Sequence, residues 1–265
     1  MPSLTLTATL TRRAPVTDGS TASTGDLGRD FDAVLHRRRS VRAFREDPVP
    51  EDLLTEVLDD AAQAPSWSNT RPYMLAIATG ERAERIRAAY GAEFDRSAAA
   101  QRGDKAAMAK LALTGSLPDG DYKVWAPYPA DLRMRSVRLG KALYTHIGIP
   151  RGDKAARDAY NRRNGEAFGA PVIGFVLVHA GLMPFAAMDA GLMLQTLFLS
   201  ATSHGLATCP IGMLAAWRRP IDAEFEVPED YKLITGFAMG YEADEPINTF
   251  RAEHAPIGLV PPREG

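Results

Sequence analysis

The chain of 265 residues has one cysteine, Cys209, and only five histidines. A single cysteine excludes an internal disulfide and any metal site built from several cysteines. The histidines stand apart at positions 36, 146, 179, 204 and 254, so no metal is expected. A chain without disulfides is typical of a reducing compartment, and the expected location is cytoplasmic.

The chain also lacks a strong excess of either charge, with 31 Lys and Arg against 33 Asp and Glu. This balance does not indicate general nucleic-acid binding. The first ten residues lack the charged start and long apolar core of a signal peptide. The nearly continuous apolar segment 185–201 contains Asp189 and Gln195 and is short for a membrane span. A buried helix and no membrane association are therefore expected.

Motifs of several common chemistries are missing. No G-x-G-x-x-G follows a strand, and there is no G-x-x-x-x-G-K-[ST], H-E-x-x-H or G-x-S-x-G. Cys209 offers a nucleophile, but it lies in Ala207-Thr208-Cys209-Pro210 beside an apolar helix, where a buried structural thiol is the favoured interpretation. If the protein is an enzyme, its chemistry is expected to come from a cofactor.

Helical and strand-like segments mix without a regular βαβ repeat, which predicts an α+β fold. Residues 13–28 are rich in Thr, Ser, Gly and Asp, which indicates a disordered tail over 1–28, order from near Phe31, and a single domain over 29–265. The apolar helix 185–204 is predicted to be buried on all sides, with Gly205 as its C-cap. Further helices are predicted over 50–63 and 81–90, and strands over 73–78, 172–178 and 233–239.

The middle of the chain, residues 101–165, is basic, with 13 Lys and Arg against 6 Asp and Glu and a local charge of +7. It contains a turn-rich loop, Leu117–Asp121, and two amphipathic helices over about 131–147 and 151–164. This helical excursion can be a lid that attracts anions, or a solvated pair of helices. A nucleic-acid surface is a third and weaker alternative.

Five arginines crowd into the ten residues His36–Arg45. Arginine offers a planar fork of donors that matches phosphate oxygens two at a time. A helix and a polar Pro/Ser/Asn loop follow this cluster, an order that suggests a site for a phosphorylated cofactor. From the arginines alone, an ordinary solvated basic face is the favoured interpretation.

Four blocks of the sequence together resemble the FMN-dependent nitroreductase family, over about Phe31–Pro256. Any one of them is weak, whereas their order and spacing make the match specific. The blocks are Arg38–Arg42, Pro65–Tyr73, Gly205–Gly212, and the stretch from Gly240-Tyr241 through Asn248 to Arg251.

This resemblance implies an FMN site. Arg38 and Ser40 correspond to the phosphate end with Arg39 beside them, and Arg42 corresponds to the N1/O2 edge of the flavin. Arg251 adds a second phosphate contact. The remaining implied cofactor-binding residues are Pro65, Ser66, Trp67 and Asn69, in a loop that reaches the flavin from the partner subunit, and Pro210, Ile211 and Gly212, along the isoalloxazine ring.

The resemblance also implies a nitroreductase-like fold, with a mostly antiparallel central sheet flanked by helices, in an intertwined homodimer. NAD(P)H gives a hydride to flavin N5 and leaves, and a nitroaromatic, quinone or similar acceptor then takes the electrons. No catalytic side chain is expected, because flavin N5 carries the chemistry. The alternatives are a flavin-dependent dehydrogenase or oxidase of a biosynthetic intermediate and a non-catalytic flavin-binding module.

The sequence departs from the family pattern at a few positions. Arg71 and Tyr73 stand where many relatives have Gln and Trp, and Gly212-Met213 stand where some carry an acid. The basic excursion resembles a subgroup that includes nitrobenzoate reductases, through Tyr128-Pro129 and Arg162-Arg163-Asn164 among other positions. That likeness favours an anionic aromatic acceptor, and the basic charge favours NADPH over NADH.

Overall fold

A four-stranded antiparallel sheet organises the fold in the computed structural model, which describes residues 24–263. Its strand order is β1-β2-β4-β3. The strands are β1 (Tyr73–Thr79), β2 (Val172–His179), β3 (Ala207–Ile211) and β4 (Tyr231–Gly240). The α+β class and the antiparallel sheet are confirmed.

Strand β2 lies inside the sheet, between β1 and β4, and seven of its eight residues are buried. Ile173 and Phe175 pack into one hydrophobic core, and Val176 packs into a second core on the opposite face. The alternation follows from the two-residue period of a strand, which sends successive side chains to opposite faces of the sheet. Three of the four strands were predicted. The edge strand β3 was not, because it is short and contains Pro210, a residue tolerated only at sheet edges.

Helices cover both faces of the sheet. Helix α2 (Glu51–Ala61) and helix α7 (Phe185–Ser203) pack in one core, and helix α3 (Gly80–Gln101) packs in the other. Helix α3 extends well beyond the predicted 81–90. The other helices are α1 (Thr24–Arg37), α4 (Lys105–Leu113), α5 (Ala130–His146), α6 (Lys154–Gly165) and α8 (Arg219–Asp222).

The predicted disordered tail is partly corrected. Residues 1–23 lie outside the described part of the chain, but helix α1 begins at Thr24 and includes 24–28. The spacing of Leu27, Phe31 and Leu35, four residues apart, continues one apolar stripe back into the segment that was predicted to be a tail. Composition alone concealed that periodicity, because polar residues surround Leu27.

Helix α7 is confirmed in extent, and Gly205 follows it with a φ of 77°. The prediction that this helix is buried on all sides is wrong for a single copy of the chain. Phe185, Met188 and Leu192 are 39%, 52% and 41% exposed and lie on one face. The helix is apolar and long enough to cross a membrane, yet half of the qualifying segment is buried in the fold. Its exposed apolar stripe is typical of an interface rather than of a core alone.

The basic excursion is fixed to the sheet at its middle. Asp121 accepts hydrogen bonds from the Arg218 guanidinium at 2.7 Å and from the Leu233 backbone N–H at 2.8 Å. Asp119 accepts the Arg218 backbone N–H at 2.9 Å. Helix α5, in contrast, has no buried residue. The loop is therefore part of the architecture, while α5 presents most of its surface to its surroundings.

Candidate cofactor-binding site

The arginine segment, Arg38–Arg42, leaves helix α1 in an extended conformation and runs beside the edge strand β3. Ser40 forms a parallel bridge with Thr208, and the Val41 N–H donates to the Thr208 carbonyl at 3.0 Å. Extended backbone sends alternate side chains to opposite sides. Val41 is buried against the core, so Arg38, Ser40 and Arg42 share the other side of the segment.

The buried thiol of Cys209 shows where that second side lies. Burial raises the pKa of Cys209 to about 11, and the charges of Arg42 and Arg38 and a hydrogen bond with Ser40 oppose this rise. All three side chains therefore lie near Cys209 on β3. The raised pKa keeps the thiol protonated at neutral pH, so the favoured interpretation of Cys209 as structural is the one that the structure supports.

Arg39 has a different environment from its neighbours. Its guanidinium forms an ion pair with Glu242, and its Nε donates to the Asn248 carbonyl at 3.4 Å. These contacts tie the arginine segment to the chain that follows β4. The resemblance implies a place for Arg39 beside the phosphate, and in the structure its guanidinium has an intramolecular carboxylate partner.

Asn248 brings the C-terminal block to the arginine segment. This buried side chain accepts the Arg42 N–H at 2.8 Å and donates to the carbonyls of Ala43 and Ala243 at 2.8 Å each. Arg251 then donates to the Asn248 carbonyl at 2.8 Å. Sequence reasoning included Asn248 in a block but gave it no role. Its amide offers both donors and an acceptor, which suits a residue that joins two backbone segments.

Three of these arginines differ from Arg39 in their charge environment. No carboxyl group in the described part of the chain forms an ion pair with Arg38, Arg42 or Arg251, whereas Arg39 pairs with Glu242. Arg38 and Arg42 are also half-buried. Partly buried guanidinium groups that lack an internal anion are suited to an external one, and phosphate matches their paired donors.

The Pro210–Gly212 block lies beside the arginine segment, because β3 carries it. Pro210 is exposed, and Ile211 is buried at 2% exposure. A Cβ added at Gly212 would meet no atom within 4 Å, so the space beside its backbone is open. An exposed proline and an open glycine backbone, next to arginines that form no ion pair within residues 24–263, make a surface that a flat ring can approach.

Two residues of helix α6 also approach the arginine segment and were not assigned to the site from the sequence. Arg163 donates to the Arg42 carbonyl at 3.3 Å. Tyr160 is shielded, and burial raises its pKa against the nearby charges of Arg42 and Arg163. Both line a 360 Å³ cavity with Ile149 and Ile247. The excursion therefore covers one side of the candidate site.

The Pro65–Asn69 loop lies at the other end of helix α7. The Trp67 N–H donates to Asp189 Oδ2 at 2.9 Å, and the Trp67 and Phe185 rings are 4.2 Å apart. The arginine segment is at the C-terminal end of α7, where Arg39 and Thr202 line one small cavity. Asp189 and Thr202 are separated by about 20 Å at 1.5 Å per helical residue. Within one chain, the structure does not bring this loop to the arginine segment.

No group of three His, Cys, Asp or Glu side chains that suits a metal ion occurs within residues 24–263. The site therefore consists of unpaired arginines, a hydroxyl, an open backbone edge and an excursion above them. These groups can bind and orient an anionic, ring-containing molecule, and none of them forms a pair of a nucleophile and its base.

The model of the nitroreductase family matches residues 35–241. The chain is 35% identical over 217 residues to a 4-nitrobenzoate reductase of Pseudomonas putida, covering 82% of this chain and 86% of that protein. It is 31% identical to the nitroreductase NfnB of Mycolicibacterium smegmatis, covering 84% and 88%. A crystal structure of the FMN-dependent nitroreductase NfnB from Mycobacterium smegmatis, in complex with NADPH, is 29% identical with a TM-score of 0.73 and covers 87% and 96%. The chain belongs to the nitroreductase family.

Proposed function

We propose that the protein is an FMN-dependent oxidoreductase that passes electrons from NAD(P)H to a nitroaromatic, quinone or similar electron-poor acceptor. The observation that carries the proposal is the set of three arginines, Arg38, Arg42 and Arg251, which lie in one region without carboxyl partners among the described residues. The family to which the chain belongs and the names of its relatives support the same conclusion.

The residues present fit FMN at both of its ends. Arg38, Ser40 and Arg251 would hold the phosphate, because two guanidinium groups and a hydroxyl supply the donors that phosphate oxygens accept. Arg42 would lie near the pyrimidine edge of the flavin. The exposed Pro210 and the open backbone at Gly212 would border the ring. Arg39 is left out of this assignment, because Glu242 neutralises it.

Bound FMN would supply the redox chemistry that links NAD(P)H to the acceptor. The protein contributes binding and electrostatics. The positive charge of Arg42 would stabilise negative charge that is added to the flavin ring. Asn248 holds Arg42 in place, because its Oδ1 accepts the Arg42 backbone N–H at 2.8 Å. Tyr160 and Arg163 limit access from one side. No side chain needs to act as a general acid or base, and water can supply protons.

We further propose that two copies of the chain build each site. The Pro65–Asn69 loop and the arginine segment lie at opposite ends of helix α7, so one chain cannot supply both to one cofactor. The exposed stripe of Phe185, Met188 and Leu192 gives α7 an apolar face for a second copy. In a two-fold dimer with α7 near the axis, each loop would meet the partner's arginine segment.

The acceptor class is proposed to be an anionic aromatic compound. The cavity lined by Tyr160 and Arg163 also has apolar walls at Ile147, Ile149 and Ile247, and the exposed Glu245 is the one carboxyl group among its lining residues. A relative named 4-nitrobenzoate reductase agrees with this class. The basic charge of the excursion favours NADPH as the donor, and the single cysteine favours the cytoplasm.

The first test is an absorbance spectrum of the purified protein after incubation with FMN and desalting, repeated anaerobically with NADPH. We expect flavin bands at about 370 and 450 nm that bleach when NADPH is added. Bands that persist under NADPH would instead support a dehydrogenase, an oxidase or a flavin-binding module. Loss of all flavin on desalting would contradict the proposed site.

A further inference from the structure

Asp189 is a fully buried carboxyl that the proposed function does not use. It lies on helix α7 with 0% exposure. Its Oδ2 accepts the Trp67 N–H at 2.9 Å, and its Oδ1 has no hydrogen-bond partner in the described part of the chain. Removing a carboxyl from water is costly unless it gains specific partners, so a buried one with a single donor requires an explanation.

The loop that Asp189 holds is strained. Ser68, Asn69 and Arg71 have φ angles of 49°, 55° and 47°, in the left-handed region that residues with a Cβ adopt only at an energetic cost. Such a loop relaxes unless its surroundings fix it. Within the loop, the Asn69 N–H donates to the Ser66 carbonyl and the Thr70 N–H to the Trp67 carbonyl, each at 3.0 Å, and the Arg71 N–H donates to Ser66 Oγ at 3.0 Å. The contacts that fix the loop to helix α7 are the hydrogen bond to Asp189 and the packing of Trp67 on Phe185.

A second buried polar group, the hydroxyl of Tyr73, also lies near the loop. The hydroxyl of Tyr73 is buried and has no hydrogen-bond partner among the described residues. Burial raises the pKa of Tyr73, the nearby charge of Arg71 lowers it, and that of Asp189 raises it further. Ala186 and Met193, one helical turn on either side of position 189, are buried in the apolar core, where a carboxyl is costly. The carboxyl is therefore explained by the hydrogen bond that it makes to the loop rather than by packing.

We propose that Asp189 is a positioning residue of the cofactor site: by accepting the Trp67 N–H, it holds Pro65–Asn69 in the strained conformation in which this loop meets the cofactor of the partner copy. The inference rests on the proposed function. It assigns Asp189 no contact with the cofactor, because the carboxyl is enclosed beneath the loop.

The first experiment removes the acceptor. We expect Asp189→Ala to bind FMN at least about tenfold more weakly, because one hydrogen bond to a charged group is lost. Asp189→Asn keeps an oxygen that can accept the Trp67 N–H, and should stay within about threefold of wild type. Asp60→Ala is a control for the loss of a carboxyl that contacts helix α7. Asp60 accepts from Ser200 at 2.7 Å, about three helical turns along α7 from Asp189, and its removal should leave FMN binding unchanged.

The second experiment removes the donor. Trp67→Pro and Trp67→Ala both lose the indole ring, but only the proline variant loses the N–H. Ser66 has φ −145° and ψ 160°, an extended conformation that a following proline permits. We expect Trp67→Pro to bind FMN at least about tenfold more weakly than Trp67→Ala does. This pair also decides the question if Asp189→Ala fails to fold.

The third experiment asks in which copy Asp189 acts. Asp189→Ala chains are mixed with chains that carry Arg38→Ala and Arg251→Ala, and the mixed dimers are isolated with two affinity tags. If the loop acts on the partner's cofactor, one site combines the intact arginines of the Asp189→Ala chain with the intact loop of the other chain, and the second site lacks both. We therefore expect each mixed dimer to bind half of the wild-type FMN content, with wild-type affinity. General destabilisation by Asp189→Ala would not restore one normal site.

Equal FMN affinity in Asp189→Ala and wild type, or in the two Trp67 variants, would overturn the inference and leave the proposed function intact. Equal losses in Asp189→Ala and Asp189→Asn would also overturn it, since the hydrogen bond would then not be what matters. Failure of the wild-type protein to retain FMN would instead refute the proposed function on which the inference rests.

Discussion

The arginines of this molecule lie in two different electrostatic environments. Around Arg218, the guanidinium contacts Asp121 and Asp222 at 2.7 and 2.8 Å and fixes the excursion to the sheet. Around Arg38 and Arg42, no described carboxyl forms an ion pair with the guanidinium groups, although both side chains are half-buried. The first arrangement is internally neutralised and serves the architecture. The second leaves positive charge unmatched, which a structure retains where a ligand supplies the anion.

The sharpest test of this comparison is the double variant Arg38→Ala/Arg251→Ala. Each phosphate contact from a guanidinium is a charge-assisted hydrogen bond worth about 1.5–3 kcal/mol, so we expect the affinity for FMN to fall at least about 100-fold. Equilibrium dialysis or flavin fluorescence measures the loss. The thermal midpoint of the protein without added FMN should change little, since neither side chain has a carboxyl partner within residues 24–263. Stoichiometric FMN in the double variant would refute the phosphate assignment.

The other side of the comparison is Arg218→Met. Asp121, whose side chain is 16% exposed, would then keep the Leu233 N–H as its short hydrogen-bond donor and the more exposed Lys232 ammonium at 3.8 Å. Breaking a shielded ion pair by removing one partner costs about 3 kcal/mol of unfolding free energy. Urea unfolding measures the loss, and Arg85→Met, which breaks the more exposed pair with Glu224, is the control with a smaller expected change. A selective loss of FMN at unchanged stability would contradict the structural role of Arg218.

A smaller effect on the affinity for FMN is expected at Arg39, which lies in the arginine segment but has a carboxyl partner. Because Glu242 already neutralises its guanidinium, Arg39→Gln should change the affinity for FMN by less than about threefold. The same titration on Arg38→Gln provides the contrast, with a loss of about tenfold or more. If both variants lost FMN equally, Arg39 would bind phosphate as the sequence resemblance implied, and Glu242 would not determine its role.

The smallest effect near neutral pH concerns Cys209. Its thiol has a pKa of about 11 in the folded protein, against an ordinary 9.0. Between these two values the folded state holds a proton that the unfolded state has released, so stability falls as pH rises, by about 1.4 kcal/mol per pH unit at most. Below pH 9 the contribution is fully present. Urea unfolding from pH 8 to 11 should show a shallower decline in Cys209→Ala than in wild type.

Local patterns in the sequence determined much of the fold. The apolar, β-branched run of β2 and the apolar run of α7 specified elements whose existence needs no knowledge of the rest of the chain. Edge strand β3 and the start of α1 were missed, because a proline and polar neighbours concealed them. The residue blocks of the candidate site were also visible in the sequence, because their chemistry depends on residue type and order.

Only the tertiary structure decided which arginines form ion pairs with described carboxyl groups and where each block lies. The partner of Arg39 is Glu242, about 200 residues away in the chain, and Asn248 joins Arg42 to the segment that contains Arg251. Such pairings depend on strand register and chain crossing, which no local pattern encodes. The same holds for the separation of the Pro65–Asn69 loop from the arginine segment. A rigid helix holds them at its two ends, and the proposal that two copies of the chain build each site rests on this distance.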